Sequence, residues 1–279
     1  MKDRIKMKIF ISVDIEGISG IVDSSETGRD KGEYEKARDL MVADVNAAIE
    51  GIYSLGNAEI VVSDAHGGMK NIDPNKLNED AKLIRGTPKP LTQMAGIDDS
   101  FDAAMFIGYH SKKGTLHGIL SHTISGRVIE SVTINGMEVG ETAINAAIAG
   151  YYGVPLIFVA GDLAVANETK EINPEIEVAV VKEAVSRTAA ICLHPVKARM
   201  LITEKSTLAL KKKDSIEPFM FKSPFEIIVK YVNARMADAV EFMPSAERID
   251  GKTIKLVQHD YLKAFGALRA SIYIAGAVA

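Results

Sequence analysis

Short apolar runs rich in β-branched residues alternate with amphipathic stretches along most of the chain. Runs at 9–13, 59–62, 103–108 and 156–160 read as strands covered on both faces, the pattern of a parallel sheet. Between the first two, Ala37, Leu40, Met41, Val45, Ala48, Ile49 and Ile52 recur at helical spacing, and Gly56 ends the helix. Strand, helix, strand in that order predicts a right-handed βαβ unit. Strands are also expected at 82–85, 177–181, 227–231 and 253–257, and a hairpin at 131–139 around Asn135-Gly136. Helices are expected at 142–151, 164–172, 197–211 and 234–242 and from Asp260 onward. The polar stretch 23–32 reads as a loop over the end of the first strand. The fold class is α/β: a mainly parallel sheet flanked by helices in three layers, with a smaller α/β lobe in the C-terminal half. No internal repeat or linker interrupts the pattern, so residues 1–279 form a single unit with a sub-lobe boundary near 190–220.

Composition narrows the classes. An apolar fraction of 47% and a charged fraction of 25% are those of an ordinary soluble globular protein. The net charge of −4 argues against nucleic-acid binding, which wants a basic surface. Cys192 is the only cysteine, so intrachain disulfides and thiolate metal clusters are excluded. No apolar run approaches ~20 residues, so no membrane span is expected. The first apolar run breaks at Asp14, too soon for a secretory core, and a cytoplasmic location is expected.

The chemistry gathers at strand ends. Asp14 and Glu16 leave the first strand two residues apart and so point to the same side. Two carboxylates that close need a metal ion or basic side chains to neutralise them. Alone, the pair reads as a strand ending in a polar turn. The second and third runs, however, end in His66 and His110, and Glu141 opens the helix after the hairpin. Each histidine singly is more often structural than a ligand. Together the five offer the nitrogen and oxygen donors of a two-metal site, with one carboxylate shared between ions ~3.5–4 Å apart. His122 follows Ile119-Leu120, which reads as a short rigid apolar element that holds the ring. Asp64 reads as solvent-facing, or else as a partner that orients His66, and Asp162 as the cap of the next helix.

The segments SVDIEGISG, SDAHGGMKN, FIGYHS, GILSHTI, and INGMEVGETAINA followed by GYYGVPLIFVAGD resemble, in the same order, those of the D-aminopeptidase family of metallopeptidases, whose founding member belongs to a bacterial dipeptide-transport operon. Weaker likeness continues through SRTAAICLHPVKARMLITEK, so the resemblance covers most of the chain. It implies two zinc ions per chain and release of N-terminal D-amino acids from short peptides such as D-Ala-D-Ala through a zinc-activated water. It also implies that Asp14, Glu16, His66, His110 and Glu141 are the metal ligands and His122 the catalytic histidine. Asp14 is expected to bridge the ions, with Glu16 and His110 on one and His66 and Glu141 on the other. Family members assemble stacked five-membered rings, which implies a homodecamer. One departure is the loop between His110 and His122, a residue longer than the family pattern and carrying an extra histidine, His117. From the residues alone, a two-metal phosphoesterase and a non-catalytic metal- or small-molecule-binding protein remain alternatives.

Overall fold

The computed structural model describes residues 7–29 and 32–279; of the loop expected at 23–32, residues 30 and 31 lie outside the described residues. Strand β1 (Met7–Val13) lies inside a seven-stranded sheet, between β2 (Ala58–Asp64) and β4 (Ala103–Tyr109), both parallel to it. Ile9, Phe10, Ile11 and Val13 are wholly buried, which is why this run shows no alternation. Strand β3 (Ala81–Ile84) extends the β2 side. β7 (Leu156–Asp162), β8 (Glu177–Ser186) and the antiparallel β9 (Ala189–Cys192) extend the β4 side.

Helix α1 (Tyr34–Tyr53) joins β1 to β2 and packs against α4 (Pro195–Lys212). Helices α2 (Glu141–Tyr151) and α3 (Leu163–Ile172) lead into and out of β7. The chain moves outward in opposite directions from β1 and from β4. Right-handed crossovers therefore put α1 and α2 on opposite faces, giving three layers.

The smaller lobe is a five-stranded antiparallel sheet. Its strands are β5 (Ile129–Ile134), β6 (Met137–Glu138), β10 (Phe225–Tyr231), β11 (Ala246–Arg248) and β12 (Thr253–Gln258). Helices α5 (Ala234–Val240) and α6 (Tyr261–Gly276) pack on it. The lobe is thus not confined to the C-terminal half, because the β5–β6 hairpin belongs to it. Asn135 and Gly136 turn that hairpin with φ of 50° and 84°, as the dipeptide predicts. Helix α4 packs on the main sheet, and the chain returns to the second sheet only at Phe225.

Candidate metal centre and active site

Three neighbouring parallel strands end on one edge of the main sheet, in the order β2, β1, β4. That edge, where the strand order turns about β1 and β4, is the crevice in which open α/β sheets bind ligands. His66 follows β2, Asp14 and Glu16 follow β1, and His110 follows β4. The turn after β1 lies tight on β4: Asp14 N–H donates to Ile107 O (2.9 Å) and Gly17 N–H to Gly108 O (2.7 Å). A Cβ on Gly17 would stand 1.9 Å from Tyr109 O, so only glycine lets the two backbones meet there. Glu141 opens α2, where the helix dipole favours its negative charge.

The five expected ligands and His122 converge. His66 Nδ1 lies 3.0 Å from Asp14 Oδ1 and 3.1 Å from Glu16 Oε2. His110 Nε2 lies 3.8 Å from Asp14 Oδ2 and 3.4 Å from Glu141 Oε1. His122 stacks on His110 with ring centroids 4.1 Å apart, and its Nε2 is 3.8 Å from Glu141 Oε1. Donor atoms of Asp14, Glu16 and His110 lie within 4.8 Å of one another, as do those of His110, His122 and Glu141. His122 therefore stands within ligand reach as well as catalytic reach.

Each ring has one nitrogen on a backbone carbonyl and turns the other to the carboxylates. His66 Nε2 bonds Thr27 O (2.9 Å), His110 Nδ1 bonds Ser111 O (3.0 Å) and His122 Nδ1 bonds Leu120 O (2.9 Å). That arrangement fixes the tautomer and leaves the facing nitrogen free to ligate or to take a proton. The first of these bonds also seats the loop after Asp23 over the site.

A family model described as D-aminopeptidase matches residues 7–270. The chain belongs to the D-aminopeptidase family. A D-aminopeptidase of Bacillus subtilis (strain 168) is 38% identical over 263 residues, 94% of this chain and 95% of that protein. The solved structure of the Zn-dependent D-aminopeptidase DppA from Bacillus subtilis, a self-compartmentalizing protease, superposes with a TM-score of 0.94 at 36% identity, covering 96% of this chain and 98% of that one. The family is the one the motifs resemble.

The centre fits a cation. Asp14, Glu16, His110 and Glu141 are at most 5% exposed, and two buried atoms among them, Glu16 Oε2 and His110 Nε2, complete no well-aligned hydrogen bond despite His66 Nδ1 at 3.1 Å from the first and Glu141 Oε1 at 3.4 Å from the second. Burial, then the neighbouring Glu16, push the Asp14 carboxyl up to about 7. Against the upward push of burial, His66 holds Glu16 well below the usual range, and His110 with His122 holds Glu141 down to about 2. Burial disfavours charge on the histidines too, yet Glu141 lifts His110 to about 10, and Glu16 with Asp14 lifts His66 well above its ordinary value. His122 goes the other way: burial, then the adjacent His110, push it down.

Several residues around the centre escape sequence reasoning. Gln93 donates from Nε2 to Glu141 Oε2 (2.5 Å) and to Asp14 Oδ2 (3.4 Å), and its Oε1 accepts from Asn145 (2.7 Å). It is delivered by Leu91 and Thr92, both at positive φ (56° and 48°), in a stretch without periodicity. Lys182, buried in β8, donates from Nζ to the carbonyls of Glu16 (2.6 Å), Ile18 (2.9 Å) and Ile21 (2.5 Å), pinning the turn that carries the carboxylates.

Three expectations are refined. Asp64 is fully buried and does not face solvent; it accepts from Asn71 N (2.5 Å) and Ile72 N (2.8 Å), shaping the loop that carries His66. Asp162 caps α3 through Val165 N (2.9 Å), as expected, and also accepts from Ile119 N (2.7 Å). Residues 119–122 are a loop, not a regular element. Its rigidity comes from that bond and from Leu120 N–H to Arg187 O (2.9 Å). His117 is exposed on the loop ahead of His122.

Proposed function

We propose that this chain is a zinc metallo-aminopeptidase that releases N-terminal D-amino acids from short peptides such as D-Ala-D-Ala, with two zinc ions per chain. The observation that carries the reading is the buried convergence of Asp14, Glu16, His66, His110 and Glu141 around unpartnered donor atoms, in a chain of the D-aminopeptidase family. Those five would hold the metal, with Asp14 shared, Glu16 and His110 on one ion and His66 and Glu141 on the other. The 4.8 Å grouping of Asp14, Glu16 and His110 supports the first half of that partition.

Bound zinc would supply a Lewis acid that polarises the scissile carbonyl and acidifies water. The chain's own residues do the rest. His122 is the one histidine of the three whose environment keeps it neutral, and with Nδ1–H tied to Leu120 O its Nε2 is the free acceptor. Its side chain is 20% exposed against 1% for His110, so substrate and water reach it. His122 therefore takes a proton at Nε2 from the attacking water and returns it to the departing amine. Gln93 holds the carboxylates of Glu141 and Asp14 in place meanwhile.

The protein acts as a homo-oligomer, a homodecamer by family resemblance. Exposed apolar side chains at Leu116 (81%), Ile191 (71%) and Phe242 (88%) support burial on assembly. No helix among the described residues is long and apolar enough to cross a membrane. The free, exposed thiol of Cys192 suits the reducing cytoplasm. The test is a panel of matched D- and L-dipeptides with p-nitrophenyl phosphate alongside. Faster turnover of the D-series and none of the phosphate ester is expected; equal or faster L-turnover would overturn the stereochemical part, and inactivity on every peptide the whole.

A further inference from the structure

The cavity above the centre is small, about 150 Å³, and its lining includes a residue that the metal chemistry leaves unused. Asp14, His66, Gln93, His122 and Glu141 give it a polar floor. Met69, Ile124, Ile144 and Phe265 give it apolar walls. Arg269 is the one lysine or arginine among the described residues that line it. It sits one helical turn beyond Phe265 on α6, so both side chains lie on the same face of that helix.

The guanidinium is held but not satisfied. It lies 4.9 Å from the centroid of the Tyr273 ring, and one Nη donates to the Tyr273 hydroxyl at 3.1 Å. Its Nε is buried and has no hydrogen-bond partner. Among the described residues no carboxylate forms an ion pair with it, although Asp14 and Glu141 line the same cavity. An arginine offers five donors in a planar fork that matches a carboxylate, and a buried N–H without a partner is costly. A cavity with a proton acceptor and a carboxylate cluster on its floor and a half-satisfied guanidinium on its wall is built for a short ligand with an anionic end.

We propose that Arg269 recognises the free C-terminal carboxylate of the substrate and so makes this site prefer dipeptides with an unblocked C-terminus. The inference rests on the aminopeptidase reading and adds the second end of the substrate to it. The scissile bond of a dipeptide lies one residue from its carboxylate. Arg269 and the carboxylate–histidine floor line one cavity of about 150 Å³, so a ligand as short as a dipeptide reaches both. Blocking the carboxylate would leave the buried Nε–H facing a neutral group.

The experiment compares D-Ala-D-Ala with its C-terminal amide, using zinc-loaded wild type, Arg269→Gln and Arg269→Lys. The wild type is expected to show a kcat/KM about 10–100-fold higher on the free acid, the range of one charge-assisted pair. Arg269→Gln is expected to lose that factor on the acid, mainly through KM, and to stay within about twofold on the amide. Arg269→Lys should recover part of the loss, since it keeps the charge but not the fork. Equal use of acid and amide by the wild type, or a variant that lowers both alike, would overturn the proposal. If the wild type cleaves neither, the peptidase reading fails, and calorimetric binding of the two compounds decides the carboxylate site by itself. Tighter binding of the acid that Arg269→Gln abolishes would uphold it; equal binding would reject it.

Discussion

Replacing Lys182 with methionine tests whether the proposed metal centre depends on a residue that touches none of its proposed ligand atoms. Lys182 Nζ is buried and serves the carbonyls of Glu16, Ile18 and Ile21, the turn on which the β1 carboxylates are mounted. A hydrogen bond to a charged group contributes about 1.5–3 kcal/mol net of desolvation, so three give about 4.5–9 kcal/mol at most. Burial pushes Lys182 down to about 8 from 10.5, so the cost of burying its charge is only partly offset by the acidic groups nearby. Methionine recovers the cost but leaves three carbonyls without a donor. A net loss of about 3–5 kcal/mol is expected, the size seen when one partner of a buried charged contact is removed. The loosened turn should also weaken zinc binding about 10–100-fold, as loss of a group that supports a ligand does. Urea unfolding of chelator-stripped protein measures the first effect, and competition with a chromophoric chelator the second. Should methionine prove too disruptive to fold, Lys182→Gln carries the same test with one donor group restored. Stability within about 1 kcal/mol of wild type together with unchanged zinc affinity would refute the reasoning.

His122→Ala should keep both zinc ions and the fold while turnover falls about 10²–10⁴-fold, the usual worth of a positioned acid–base group. His117→Ala should alter specificity at most; loss of a zinc ion in the first variant, or loss of activity only in the second, would reassign the histidines. Chelator-stripped protein should lose stability as pH rises from 6.5 toward 8. His110, at about 10 in the fold and 6.5 unfolded, stabilises fully below 6.5 and progressively less as pH climbs through its folded value, and His66 acts in the same direction. Lys182, lowered to about 8, contributes the opposite slope above that pH, so 6.5–8 is the informative window, and a rise in urea midpoint across it would contradict the assignment. Light scattering should give a mass well above 30.1 kDa; a monomer at working concentration would count against the oligomer.

Much of the candidate centre was legible because its proposed ligands ride on the elements with the plainest patterns. The runs that became β1, β2 and β4 are uninterrupted and apolar, so their ends could be located, and Asp14, Glu16, His66 and His110 sit at those ends. Glu141 was legible as the start of a helix following a hairpin signal. The supporting residues were not legible because they act across long separations with no local pattern. Lys182 reaches Glu16 over 166 residues, and Gln93 reaches Glu141 over 48. Arg269 lies on an apolar terminal helix whose periodicity marks a core face and says nothing about which cavity that face meets. The smaller lobe was misplaced in part for the same reason. Local pattern identifies the β5–β6 hairpin but cannot say that it pairs with β10, some ninety residues later. β9 and β11 went unseen because they are short and mostly polar or exposed.

The proposed function makes this cluster a zinc site on which D-peptide hydrolysis depends. Its most direct test is to titrate zinc into chelator-stripped protein while following both metal bound per chain and turnover of D-Ala-D-Ala, in the wild type and in Asp14→Ala. Saturation at two ions per chain is expected, with turnover that rises with loading and an Asp14→Ala variant that folds but holds neither ion and turns over nothing. Full activity in the stripped protein, or two ions retained without Asp14, would contradict it.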